Sequence, residues 1–233
     1  MFMQINEFIK HLRKNKNPGK IEGMENYMRN KFKFLGLQAV ERRKLSNAFQ
    51  KELRTETVAR YSKSNPDKSI INWDVLNTLW NLPEREFQLV GIDYLKRIEA
   101  YLVLEDFPRL KALVLQKSWW DTVDFLSKNI GSLVIKEPEL IDTIRKWSLD
   151  ENIWIRRVSL LHQLSLKEKT NTNLLKEVIL NNLDDEEFFI QKAIGWALRE
   201  YAKTDEVWVI DFVNKYESQL SSLSVREALR NIN

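Results

Sequence analysis

Four aromatic residues, Phe87, Trp120, Trp154 and Phe189, head successive apolar stretches and are separated by 33, 34 and 35 positions. A period of that length marks a helical-repeat array, in which each helix pair cannot bury its apolar face alone and must stack on its neighbours. Companion stretches with helical spacing run between them: Trp73 to Leu79, Asp106 to Leu115, Glu139 to Trp147 and Asn173 to Leu180. Pro83, Pro108 and Pro138 punctuate the joints. No strand-like alternation competes, and only 6 Gly and 5 Pro are present. The expected fold is all-α, a superhelical solenoid of HEAT-like helix-pair repeats. It forms a single domain over residues 1–233, with the second helix of each pair lining a concave face.

The segment before Trp73 is also helical in pattern. Phe2, Ile5, Phe8, Ile9 and Leu12 share one face, followed by a break at Asn17-Pro18-Gly19. Tyr27 to Gly36 interleaves aromatic residues with cations, and Glu41-Arg42-Arg43-Lys44 opens another helix. Two readings stand for this basic stretch: Phe32, Leu35 and Leu37 as core with solvating cations, or a surface touching a phosphate backbone.

Composition excludes several kinds of chemistry. With no Cys there is no disulfide framework, thiolate nucleophile or cysteine-ligated metal, and only His11 and His162 remain as imidazoles. Both read as ordinary helix-surface or core-edge histidines, so no metal and no cofactor are expected. No apolar run approaches the roughly 18 residues a membrane span needs, and Met1 to Glu7 is too polar for a signal peptide, so a cytoplasmic protein is expected. The net charge of +4 is compatible with nucleic acid without deciding for it.

The eight tryptophans carry more weight, and two of them are adjacent in Lys117-Ser118-Trp119-Trp120-Asp121-Thr122-Val123-Asp124. Ser118 with Asp121 three residues on is a capping-box pattern, predicting a helix start with both indoles in its first turn and Asp121 as a cap. Asp124, four residues after Trp120, shares its helical face. Counted from each opening aromatic, positions +3, +4 and +7 hold Asp124, then Arg157, then Lys192 and Trp196, while Lys192, Trp196 and Arg199 form one stripe. Singly, each reads as core or a snorkelling side chain. Together they describe a groove for an anionic polymer with one carboxylate at its centre. A carboxylate weakens phosphate binding, so its presence there points to chemistry rather than affinity.

Ser118 to Asp124 (SWWDTVD), Asn152 to Arg157 (NIWIRR) and Phe188 to Lys203 (FFIQKAIGWALREYAK) closely resemble the bacterial DNA alkylation repair glycosylases of the AlkD family. The likeness extends to Tyr27 through Arg43 and to Leu82 through Gln88. Ala39-Val40 is a departure, standing where the family commonly starts a helix with Thr-Pro. The resemblance implies a C-shaped stack of HEAT-like repeats that removes N3- and N7-alkylated purines from duplex DNA without drawing the base into a pocket; a monomer is expected. It implies a catalytic role for Asp124, active-site indoles at Trp120 and Trp196, and a further cleft aromatic at Tyr27. Arg157 is placed beside the lesion-bearing backbone, and Lys192 and Arg199 among the DNA-backbone contacts.

The chemistry agrees with such an assignment. An N3- or N7-alkylated purine is cationic and departs neutral, so the costly step is oxocarbenium character at C1′, which a fixed carboxylate stabilises. No lysine is expected on Asp124's face of its own helix, so a monofunctional hydrolase is expected rather than a Schiff-base lyase. The alternative is a non-catalytic HEAT module that binds DNA or a protein, which would not require Asp124 beside Trp120 and Trp196.

Overall fold

The computed structural model describes residues 4–61, 65 and 67–232. Among them are thirteen α-helices and no strand, with one isolated β-bridge between Lys33 and Glu84. This is the expected all-α helical-repeat solenoid. The chain resolves into two compact units, Met1–Asp106 and Phe107–Asn233.

The first unit holds α1 (Ile5–Lys14), α2 (Pro18–Tyr27), α3 (Ala39–Tyr61), α4 (Trp73–Asn81) and α5 (Arg85–Ile98). On α1 the expected face is buried through Phe8, Ile9 and Leu12, and Phe8 stacks on Phe49 of α3 with ring centroids 4.1 Å apart; Phe2 lies outside the described residues. Asn17-Pro18-Gly19 does more than break a helix. Pro18 is the first residue of α2, where its missing N–H and fixed φ cost nothing. Further on, α3 begins at Ala39, packs on α5, and α5 packs on α4, whose cap is the Asn72 side chain accepting from Val75 N at 3.2 Å.

The loop from 31 to 38 is tied to the start of α5. The buried Glu86 carboxylate accepts from the backbone N–H groups of Leu35 and Leu37, each at 3.0 Å to Oε1. Arg85 donates its backbone N–H to Lys33 O at 2.8 Å and lays its guanidinium over the Phe32 ring, 3.9 Å from the centroid. Gly36 sits at φ 83°, and a Cβ there would stand 2.1 Å from Asn17 O, so only glycine fits. Leu35 and Leu37 are core, while Lys31 and Lys33, on either side of Phe32, are exposed.

The second unit contains α6 (Phe107–Leu115), α7 (Trp120–Lys136), α8 (Leu140–Trp147), α9 (Ile153–Leu161), α10 (Thr172–Leu180), α11 (Phe188–Ala202), α12 (Glu206–Tyr216) and α13 (Ser222–Ala228). One row of helices packs in succession, α7 on α9, α9 on α11 and α11 on α13. The companions flank it, α6 against α7, α8 and α10 against α9, and α12 against α11. The four companion helices α4, α6, α8 and α10 begin and end within two residues of the bounds read from the sequence. Side-chain caps start several helices: Asn152 for α9, Asn171 for α10, Asp205 for α12 and Ser221 for α13.

Two glycines let the α7–α9–α11–α13 row close up. A Cβ on Gly131 of α7 would lie 1.8 Å from His162 O, and one on Gly195 of α11 would lie 2.6 Å from Glu227 Cβ and 2.8 Å from Ser224 O. His162, expected at a helix surface or core edge, is instead buried at the α7–α9 seam. Its Nδ1 faces Ser159 O at 2.7 Å, and burial pushes its pKa down to about 4.

Candidate active site

The start of α7 differs from the capping box expected of Ser118 and Asp121. Ser118 Oγ donates back to Val114 O at 2.6 Å, and the helix opens at Trp120 with Trp119 in the cap position, extended at φ −161° and ψ 157° and without a side-chain cap. The cause is tertiary. The Trp119 ring is buried between Trp154 (centroids 5.6 Å apart) and Phe189 (5.0 Å), and that packing decides where the helix begins. Asp121 is a buried acid in the first turn of α7, where the positive end of the helix favours it.

Asp124 lies one turn further along the half-buried Trp120 face. Arg157 of α9 grips its carboxylate in a fork, Nε donating to Oδ1 at 2.7 Å and Nη2 to Oδ2 at 2.9 Å. The third arm, Nη1, donates to the carbonyl oxygen of Phe189 in the first turn of α11. One guanidinium thus joins α7, α9 and α11 at the same level, and the repeat positions that hold Asp124 and Arg157 in sequence are in contact in space. Such planar, charge-assisted pairing fixes the carboxylate in direction as well as position. Burial raises the Asp124 pKa above the ordinary aspartate value. The Arg157 hydrogen bonds and charge pull against that rise, Asp121 adds to it, and Lys128 opposes it.

The expectation for Arg157 changes accordingly. A phosphate contact requires an accessible guanidinium, whereas that of Arg157 is 3% exposed and all three of its nitrogen arms serve the protein. Its place is behind Asp124. The expectation that no lysine shares Asp124's face also fails: Lys128, four residues on, is exposed, and its charge reaches the Asp124 carboxylate. The spacing alone could have revealed it.

On α11 the buried face is the expected one, Ile190, Ala193, Ile194, Ala197 and Leu198. Trp196 is half-buried, and Phe188 projects at the head of the helix with Lys192 Nζ 5.8 Å from its ring centroid. Lys192 and Arg199, one turn either side of Trp196, converge on a residue the sequence reading did not single out, Glu227 of α13. Tyr27, the last residue of α2 in the first unit, is 71% exposed.

A stack of helix pairs with a carboxylate and indoles on one row of its helices defines a class, and comparison with known proteins says which. A solved structure described as "Predicted DNA alkylation repair enzyme from Enterococcus faecalis" is similar to this chain with a TM-score of 0.80 and 38% sequence identity, covering 93% of this chain and 96% of that one. The family model for DNA alkylation repair enzymes matches residues 8–232. The chain belongs to the DNA alkylation repair enzyme family, whose role is the repair of alkylated DNA. A search among curated proteins found no match.

Proposed function

We propose that the protein is a DNA glycosylase that hydrolyses the N-glycosidic bond of cationic N3- and N7-alkylated purines in duplex DNA. The observation that carries this reading is the Asp124 carboxylate, held by the buried Arg157 fork on the same helix face as Trp120. A carboxylate fixed in this way needs no reorganisation when positive charge develops beside it, the condition under which electrostatic stabilisation of a transition state is largest.

In the proposed reaction the C1′–N bond breaks with its electron pair passing to the purine nitrogen, which cancels the positive charge on the lesion and lets the base leave neutral. Asp124 stabilises the cationic sugar. Water then bonds to C1′ and releases its proton, leaving an abasic site. Trp120 and Trp196 offer indole faces to the deoxyribose, where their quadrupoles favour cationic character. Lys192 and Arg199 meet the phosphates, and Tyr27 contributes a further aromatic contact to the duplex.

Methylated duplex incubated with the protein, then cleaved with alkali at abasic sites, tests the reading. Strand breaks at N7-methylguanine or N3-methyladenine support it. Tight binding to duplex without any base release would leave the non-catalytic module as the function.

A further inference from the structure

Glu227 has no counterpart in the site as described, yet three cations surround it. Arg199 Nη1 donates to Oε2, Lys192 Nζ lies 3.7 Å from Oε1, and Arg230 Nη1 lies 3.9 Å from Oε1. The side chains are layered. Glu227 is 10% exposed, Arg199 20%, Lys192 44% and Arg230 66%, so the negative charge lies beneath and the positive charges point outward. Burial alone would raise the Glu227 pKa, but the Arg199 hydrogen bond and the three nearby positive charges hold it below the ordinary value. The carboxylate therefore stays ionised among three cations and leaves a net charge of two positives facing outward.

The helix that carries Glu227 is seated with little freedom. Ser224 Oγ donates to Gln191 O of α11 at 2.8 Å, and Gly195, midway between Lys192 and Arg199, has no Cβ because Glu227 Cβ would be 2.6 Å from it. The bond, the close approach and the ion pairs act on consecutive turns of the helix that bears Trp196. A long cation left in water loses rotamer freedom when it binds an anion, and one already held against a buried carboxylate loses less.

We infer that Glu227, Lys192, Arg199 and Arg230 form a preorganised site for a backbone phosphodiester, in which Glu227 is a positioning residue and Arg230 a third phosphate contact. The inference rests on the proposed action on duplex DNA, but concerns binding rather than base release.

The test uses the full chain and two readouts: fluorescence anisotropy with an undamaged duplex across a salt series, and single-turnover release from a methylated duplex at saturating protein. Glu227→Gln should weaken binding on the order of tenfold and flatten the slope of log K against log salt by about one, roughly the share of one phosphate contact. Arg230→Gln should flatten the slope by about 0.9 with the melting curve unaltered, and it judges the site even if Glu227→Gln does not fold. In an Arg199→Gln, Lys192→Gln background the Glu227→Gln effect should shrink markedly, which a general loss of structure would not produce. Tighter binding with a steeper slope in Glu227→Gln would show that the carboxylate only neutralises cations and would overturn the inference, as would unchanged isotherms in both single variants. A wild type that binds duplex but releases no base would defeat the glycosylase reading and leave this one to be judged on the binding data.

Discussion

Arg157 and Asp124 are joined by two hydrogen bonds of 2.7 and 2.9 Å, and Arg157 reaches on to the Phe189 carbonyl. The pair makes Asp124 a fixed charge rather than a mobile surface acid. Asp124→Asn keeps the shape and removes the charge, so single-turnover excision should fall on the order of 10²-fold or more while duplex affinity stays level or rises. An unchanged excision rate would remove Asp124 from the mechanism.

Replacing Arg157 should act on stability and rate, with little effect on salt dependence. Arg157→Gln leaves Asp124 buried without its partner, a change expected to destabilise by about 3–5 kcal/mol in urea melts. Much of that loss should return in the Arg157→Gln, Asp124→Asn double variant, which has no lone charge to bury. A flattened salt slope with intact stability would instead mean that Arg157 meets phosphate.

The pH profile of excision should report Asp124 through its low-pH limb. Activity needs the carboxylate, so it falls as pH drops through the Asp124 pKa, and burial sets that fall above where an exposed aspartate would place it. Asp121 is a like charge that raises the Asp124 pKa, so Asp121→Asn should move the limb to lower pH. Arg157→Gln should move it to higher pH. Single-turnover rates between about pH 4 and 8 would show both shifts; a limb unmoved in either variant would detach the profile from Asp124.

His162 should make the fold acid-sensitive. It is neutral in the folded chain with a pKa of about 4, against 6.5 for a free histidine. Between those values the unfolded chain binds a proton that the folded chain refuses, so stability present above pH 6.5 is lost as pH falls towards 4, by about 3 kcal/mol. Urea melts at pH 7.5 and at pH 4.5 should show the loss in the wild type and a smaller one in His162→Leu, which cannot titrate. Equal losses in both would clear His162.

Gly131 should tolerate no side chain. The obstacle at 1.8 Å is a backbone carbonyl, not a flexible side-chain tip, so Gly131→Ala must push α7 away from α9. Thermal or urea unfolding should show a loss of about 3 kcal/mol or more. Because the Asp124–Arg157 fork spans the same two helices, the excision rate should drop with it. A variant of wild-type stability would contradict the close approach.

Periodicity was enough to find the helices. The 33- to 35-residue spacing of Phe87, Trp120, Trp154 and Phe189, and the apolar face of α11, depend on a helical repeat that local burial imposes and that any reader of the chain can count. The same counting put Asp124 and Arg157 at matching positions of neighbouring repeats. What they do to each other was beyond its reach, because a cation at such a position can face solvent or a neighbouring helix. Only the closeness of α7 and α9 decided for the Asp124 fork, turning an expected phosphate contact into a support for the carboxylate. Ser118 failed as a cap for a similar reason: a local hydrogen bond worth about 1 kcal/mol yields to burying the Trp119 ring between Trp154 and Phe189. Glu227, 28 residues from Arg199 and on another helix, carries no pattern of its own. Its ion pair with Arg199 exists because Gly195 lets α13 settle onto α11, a contact that only the packed chain can make.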